Sequence, residues 1–195
     1  MTKKLPARNL SADGEKILEG IGKELIVAVS KYSQFEVLFL SGHENLQIMD
    51  NTAPHYFSLS GESLLHDSIM TVSRICDQAE TKGPEKKKNM TFQRLSQELQ
   101  GNTHRHFVSK LAKLKKRLKP FLEWRNTRLA HLDLERALKT KKLPKLSYKR
   151  FKGCLKDASS LLNTVNRYKR VGYTGYEMAH APQGAALLLD ILRVE

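Results

Sequence analysis

Acidic residues are in short supply in this 195-residue chain. Its 20 Asp and Glu stand against 34 Lys and Arg, for a formal net charge of +14. A deficit of that size favours a polyanionic partner, nucleic acid or an acidic membrane face. The competing reading is basic charge that merely keeps a small protein soluble. Cysteine is scarcer still: Cys76 and Cys154 lie far apart with no CxxC or Cys/His spacing. That argues against a disulfide framework and against a structural zinc site, and implies packed thiols in a reducing cytoplasm. No apolar stretch follows the lysines of MTKKLPARNLSADGE, so no signal peptide is expected. The longest apolar pieces, LIVAV and EVLFL, fall far short of the ~20 residues that a bilayer crossing needs. Sustained period-two alternation and fixed-period repeats are missing too, which argues against sheets and solenoids.

What is present is helical periodicity. From a cap at Ser11, Ile17, Leu18, Ile21, Leu25, Ile26, Val29, Tyr32 and Phe35 recur at three- and four-residue spacings, predicting one long helix to about Leu40. SGHENLQIMDNTAPHY reads as a loop, because Gly, Asn, Asp and Pro punctuate it. A second helix is predicted from a cap near Ser60, carried by Leu65, Ile69, Val72, Ile75, Cys76 and Ala79. TKGPEKKKNM is a basic connector. TFQRLSQELQ predicts a short helix ended by Gly101-Asn102, and a longer one follows, kinked or broken at Pro120. KTKKLPKL forms a second basic connector. The last long helix spans about Ser147 to Arg170 with Phe151, Leu155, Ala158, Leu162 and Val165 on one side, and a short helix closes the chain at about 182–193. The expected architecture is a single all-α domain over residues 1–195, a bundle of five to seven helices with its core at roughly 15–170.

The excess cations are not spread evenly. Lys110, Lys113, Lys115, Lys116, Arg117 and Lys119 precede Pro120, while Lys139, Lys141, Lys142, Lys145, Lys149, Arg150 and Lys152 lie in and just after the second connector. Between the clusters lies WRNTRLAHLDLE, residues 124–135. If the flanking helices fold back, both clusters border one groove that would draw phosphates to its floor; otherwise each is a solvated helix face. Within the motif, Arg125 and Arg128 share a helix face, as do Arg128 and His131. Arg125 and His131, six apart, are separated by about 120° at ~3.6 residues per turn. They meet at one phosphate only if the helix bends or a second copy of the chain completes the site. The residue types suit a particular chemistry. Histidine moves protons near neutrality, and arginine neutralises charge growing on a phosphate, so together they suffice for attack by an RNA 2′-hydroxyl without a metal. His104 and His106 in THRH point to different sides of a helix and read as surface residues, not metal ligands.

Arg125-Asn126, three residues, then Ala130-His131 and Asp133 resemble the RN-xxx-AH-x-D signature of HEPN domains, in particular the bacterial abortive-infection branch. LLHDSIMTVSRICD, residues 64–77, is similar to that branch's earlier helix, which ends in an arginine-apolar-apolar-aspartate element, here Arg74 to Asp77. The likeness covers roughly residues 15–170. It implies an α-helical bundle that pairs as a homodimer across a cleft, acting on RNA as a metal-independent endoribonuclease of phage-defence or toxin type, without a cofactor. Carried over, Arg125 contacts the scissile phosphate, His131 is the acid/base, and Asn126 orients the motif or bonds a phosphate. Arg128 adds a supporting phosphate contact, and Lys115, Lys116 and Lys119 are the flanking RNA-binding cations. An antitoxin or other regulatory partner belongs to this picture; Asp133, where some toxin members carry a modified tyrosine, argues against control by nucleotidyl transfer. Arg74 and Asp77, three apart, are expected to pair with each other and fix helix packing. The alternative is a non-catalytic RNA- or nucleotide-binding module in the same cytoplasmic setting. A DNA-binding regulator is disfavoured, since no compact helix-turn-helix stands out.

Overall fold

A computed structural model describes residues 9–81, 84–126, 145–179 and 184–193. Seven α-helices occur among them and no strand, only an isolated antiparallel bridge between Glu80 and Lys88. They are α1 (Ala12–Phe39), α2 (His43–Thr52), α3 (Pro54–Ile75), α4 (Phe92–Ser96), α5 (Gly101–Trp124), α6 (Tyr148–Lys169) and α7 (Ala185–Leu192), with a 3-10 turn at Tyr176–Met178. The fold is an all-α helical bundle, as the periodicity predicts. Its main cluster joins Ile21, Leu25, Ala28 and Tyr32 of α1 to Ile69, Val72 and Ile75 of α3, Phe107, Leu114, Leu118 and Phe121 of α5, and Phe151, Cys154, Leu161 and Val165 of α6.

α1 starts where the sequence says: the Ser11 hydroxyl accepts from the Gly14 amide at 3.0 Å, satisfying an amide that the first turn leaves unpaired. It lies along α3, and the buried Ser68 hydroxyl of α3 bonds the Ala28 carbonyl of α1 at 3.1 Å. Gly61 lets the helices close. A Cβ there would stand 2.6 Å from Cζ of Phe39.

Residues 41–56 correct the expectation of a loop. α2 occupies His43–Thr52 and α3 begins at Pro54, not near Ser60. Met49 of α2 is buried with Leu38, Phe57, Ala185 and Leu189 in a second cluster that also seats α7. The polar stretch is thus helical because Met49 finds apolar partners on α1, α3 and α7. Pro54 begins a helix instead of breaking one, since a first-turn residue has no amide to lose. Gly101 differs similarly. It opens α5 with φ of 59° instead of terminating the preceding helix. The closing helix, expected from about 182, is described over Ala185–Leu192; Pro182 and most of the second connector lie outside the described residues.

Pro120 is the third departure. α5 runs through it unbroken. Proline has no amide to give the Lys116 carbonyl four residues back. Arg150 of α6 supplies the missing donors: its Nη2 meets the Lys116 carbonyl at 3.4 Å and its Nε the Arg117 carbonyl at 2.9 Å. Arg117 in turn reaches Asp157 at 2.7 Å. The two basic clusters therefore meet at Arg150, and one of their cations repairs the backbone.

Both cysteines are buried. Burial raises both thiol pKa values, that of Cys154 to about 12, outweighing the opposing pull of Lys115 on Cys76 and Arg117 on Cys154. Native protein should react with a thiol-specific reagent at neither cysteine, and at both once unfolded; rapid labelling of the native form would contradict this packing. A double-mutant cycle tests the repair at Pro120. Arg150→Ala should cost ~1 kcal/mol in urea unfolding with Pro120 present, and clearly less in a Pro120→Ala background where the amide is restored.

Candidate functional site

The apolar stripe of α5, Phe107, Leu111, Leu114, Leu118, Phe121 and Trp124, is buried along its length and fixes how the helix is rotated. Its last buried member, Trp124, meets His66 of α3 edge-on, ring centroids 4.7 Å apart. Immediately after it the backbone widens into a π-type turn at residues 125–126, a departure from α geometry that often accompanies functional sites.

Arg125 is three-quarters or more shielded, its side chain 17% exposed. Two contacts orient it: Nη1 pairs with the Asp77 carboxylate at 3.3 Å, and Nε donates to the Asn126 side-chain oxygen at 3.0 Å. Asn126, itself exposed, thus steers the arginine. These contacts engage Nε and Nη1, one donor from each two-donor edge, and Nη2 takes no partner among the described residues. A guanidinium held in this way can donate from Nη2 to a phosphate oxygen. Arg128, His131 and Asp133 lie outside the described residues.

The expected pairing of Arg74 with Asp77 is not what the structure contains. Arg74 donates to Glu24 of α1 at 3.3 Å and to Thr71 at 3.2 Å, leaving Asp77 for Arg125. Three-residue spacing permits an intrahelical pair, but Cys76 already caps α3, and Asp77 beyond it is turned toward α5. Asp77 and Arg74 share the wall of a cavity of about 330 Å³ with Glu24, Ile75, Asn89, Met90 and Thr91. Sequence reasoning missed Asp77 as the partner of Arg125, and missed His66 beside Trp124. The signal for Asp77 was its place at the end of the second motif stretch, where a pairing choice rests on tertiary geometry.

The flanking lysines separate. Lys115 is half-buried and its charge bears on Cys76 of α3. Lys116 and Lys119 are exposed, Lys119 lying 3.9 Å from Glu123. His106 is exposed, whereas His104 is half-buried, its Nδ1 2.8 Å from the Ser96 carbonyl. Among the described residues no group of His, Cys, Asp and Glu is arranged to hold a metal ion, and no helix is long and apolar enough to cross a membrane.

The family model HEPN_AbiU2, described as AbiU2, matches residues 12–176, a span that takes in α1 to α6 and both motif stretches. The chain belongs to the AbiU2 family of HEPN domains. It is therefore a HEPN-type abortive-infection domain. No curated protein and no solved structure matched it.

In this HEPN domain the Asp77 contact is half exposed, at 47%, so it orients Arg125 more than it stabilises the fold. Asp77→Ala should lower unfolding stability by no more than ~1 kcal/mol, and by less in high salt. A loss of several kcal/mol would mean that the pair is a structural linchpin.

Proposed function

We propose that this HEPN domain is a metal-independent endoribonuclease of phage-defence or toxin type, working as a homodimer. The observation that carries the reading is Arg125: a shielded guanidinium, oriented by Asp77 and Asn126, whose Nη2 takes no partner among the described residues, at the start of the RN-xxx-AH-x-D motif. Membership of an abortive-infection family supports it, as does the net charge of +14.

In the proposed reaction the RNA backbone lies against Nη2 of Arg125. The 2′-hydroxyl attacks the adjacent phosphorus. His131 takes that proton and returns one to the departing 5′-oxygen, giving a 2′,3′-cyclic phosphate and a 5′-hydroxyl. Arg125 neutralises charge that builds on the non-bridging oxygens, an interaction strongest in the transition state. Asn126 holds Arg125 in register, and Arg128, Lys115, Lys116 and Lys119 contribute phosphate contacts along the strand. The second protomer answers the angular separation of Arg125 and His131, since each copy supplies what the other's face lacks. An antitoxin or other regulatory partner would act by covering this cleft.

Purified protein should cleave single-stranded RNA in EDTA and leave 2′,3′-cyclic ends. His131→Ala and Arg125→Ala should each slow cleavage by ~10²-fold or more while the helical circular-dichroism signal persists. Undiminished cleavage by His131→Ala would remove the histidine from the chemistry. Salt-dependent RNA binding by wild type without turnover would reduce the domain to a phosphate-binding module. The mass in solution should be that of two chains.

A further inference from the structure

α7 lies beyond residues 12–176, the span that the family model matches. Its sequence, AALLLDIL, is apolar on almost every side. Ala185 and Leu189 turn into the second cluster, yet Leu187, Leu188 and Ile191 remain 45%, 38% and 55% exposed. A helix that is apolar all round belongs in a buried setting, so the outer face of α7 is suited to being covered.

A second exposed set stands across a groove from it. Tyr56 and Leu59 project from α3, 65% and 69% exposed. Between the two sets is a cavity of about 570 Å³, lined by Tyr56, Leu59 and Leu64 of α3, Ala185 and Leu188 of α7, and the buried Leu38 of α1. The α7 wall is tied at both ends. Gln34 of α1 accepts the Ala185 amide at its start, and Arg193 after its end donates to the Asn45 side-chain oxygen of α2 at 2.9 Å. Contiguous apolar surface of this kind marks a contact surface more often than a bare one.

Charge decides what kind of contact. From Tyr32 to Ser73 the chain has no lysine or arginine, but it has Glu36, Glu44, Asp50, Glu62 and Asp67. Cations that reach in from outside arrive already matched. Lys31 pairs with Asp67, Lys152 with Glu36 at 2.7 Å, and Arg193 with both Glu44 at 3.6 Å and Asp190 at 2.9 Å, so three cations meet four carboxylates. On a protein of net charge +14 this region has the opposite balance. RNA and anionic lipid are drawn to the basic faces instead. A positively charged partner is repelled by the molecule at large and admitted here. The walls also select its conformation. α3 and α7 spend their backbone amides internally, so an extended peptide would find no ladder and leave its own backbone unbonded. An α-helix brings its bonds with it. Tyr56, Leu59, Ser60 and Ser63 span two turns at helical spacing, which suits apolar anchors at i, i+3 or i+4, and i+7 on an incoming helix.

We propose that the groove between α3 and α7 docks an amphipathic α-helix of a partner protein, its apolar face on Leu38, Leu59 and Leu188 and its flanks basic. Leu59 and Ile75 are 16 residues apart on α3, about 24 Å along its axis at ~1.5 Å per residue. The groove therefore lies at the opposite end of α3 from Asp77 and Arg125, and the docking stands whether or not the domain cuts RNA.

Fluorescence anisotropy of the full chain with two labelled sixteen-residue helical peptides tests this. Both repeat leucine at i, i+3, i+4 and i+7; one carries lysine at the remaining positions and the other glutamate. The lysine peptide should bind at micromolar concentration and the glutamate peptide at least about tenfold more weakly, the reverse of what net charge by itself would give. Leu59→Lys and Leu188→Lys, on opposite walls, should each weaken the lysine peptide about tenfold with cooperative thermal unfolding retained. No binding of the lysine peptide at high micromolar concentration would overturn the proposal, as would tighter binding of the glutamate peptide or an affinity unmoved by both substitutions. A mass above two chains that Leu59→Lys abolishes would give the groove to another copy of this chain. Sedimentation with phosphatidylcholine vesicles, lost in the same variant, would give it to a membrane. Either result overturns the proposal.

Discussion

The rotation of α5 about its own axis governs where this molecule presents Arg125. Six apolar side chains at three- and four-residue spacing lock that rotation by burial, and each fully buried large side chain is worth roughly 1.5–3 kcal/mol relative to exposure. Once the stripe faces α3 and α6, the lysines that punctuate it must face outward, and Arg125, just past Trp124, must fall beside Asp77. Arg150 protects the arrangement by serving carbonyls around Pro120, so the helix that carries Arg125 stays continuous where its own backbone lacks a donor.

Ionic contacts in this chain orient side chains more than they stabilise the bundle. The Arg125–Asp77, Arg74–Glu24 and Lys152–Glu36 pairs all include at least one substantially exposed partner, where water and salt weaken attraction. Their value is directional. An arginine held at Nε and Nη1 presents Nη2 in a fixed attitude, which matters for an anion that must be gripped in line for reaction. Neutral side chains play the same positioning part on α6, where Asn163 and Asn166 bond Thr174 and hold the segment that follows the helix.

Much of the helical plan was legible because apolar periodicity is written locally. α1, α3 and α6 follow directly from it, and Ser11 and Ser147 cap where short polar residues should. The failures share a cause. α2 depends on Met49 meeting Leu38 and Phe57 of the flanking helices and Leu189, 140 residues away; Pro54 and Pro120 were read as breakers because nothing in their own stretch marks their remedies, a first-turn position and a guanidinium from another helix. At the candidate site, Arg125 and Asn126 stood out by residue type and by likeness to a family signature. Asp77 was noticed but given the wrong partner, since spacing of three cannot tell a neighbour on the same helix from one across the bundle. Arg128 and His131 lie outside the described residues, so their placement adds nothing to that comparison.

The central claim is that the Arg125 guanidinium, held at Nε and Nη1, receives an RNA phosphate at Nη2. The most direct measurement is a crystal structure of the protein with a short RNA whose 2′-hydroxyls are methylated, so that it binds but cannot cyclise. The account predicts a backbone phosphate within hydrogen-bonding distance of Arg125, with Asp77 still on Nη1 and the second protomer closing the cleft. A strand bound elsewhere, with Arg125 turned wholly onto Asp77 and no phosphate near it, would contradict the account.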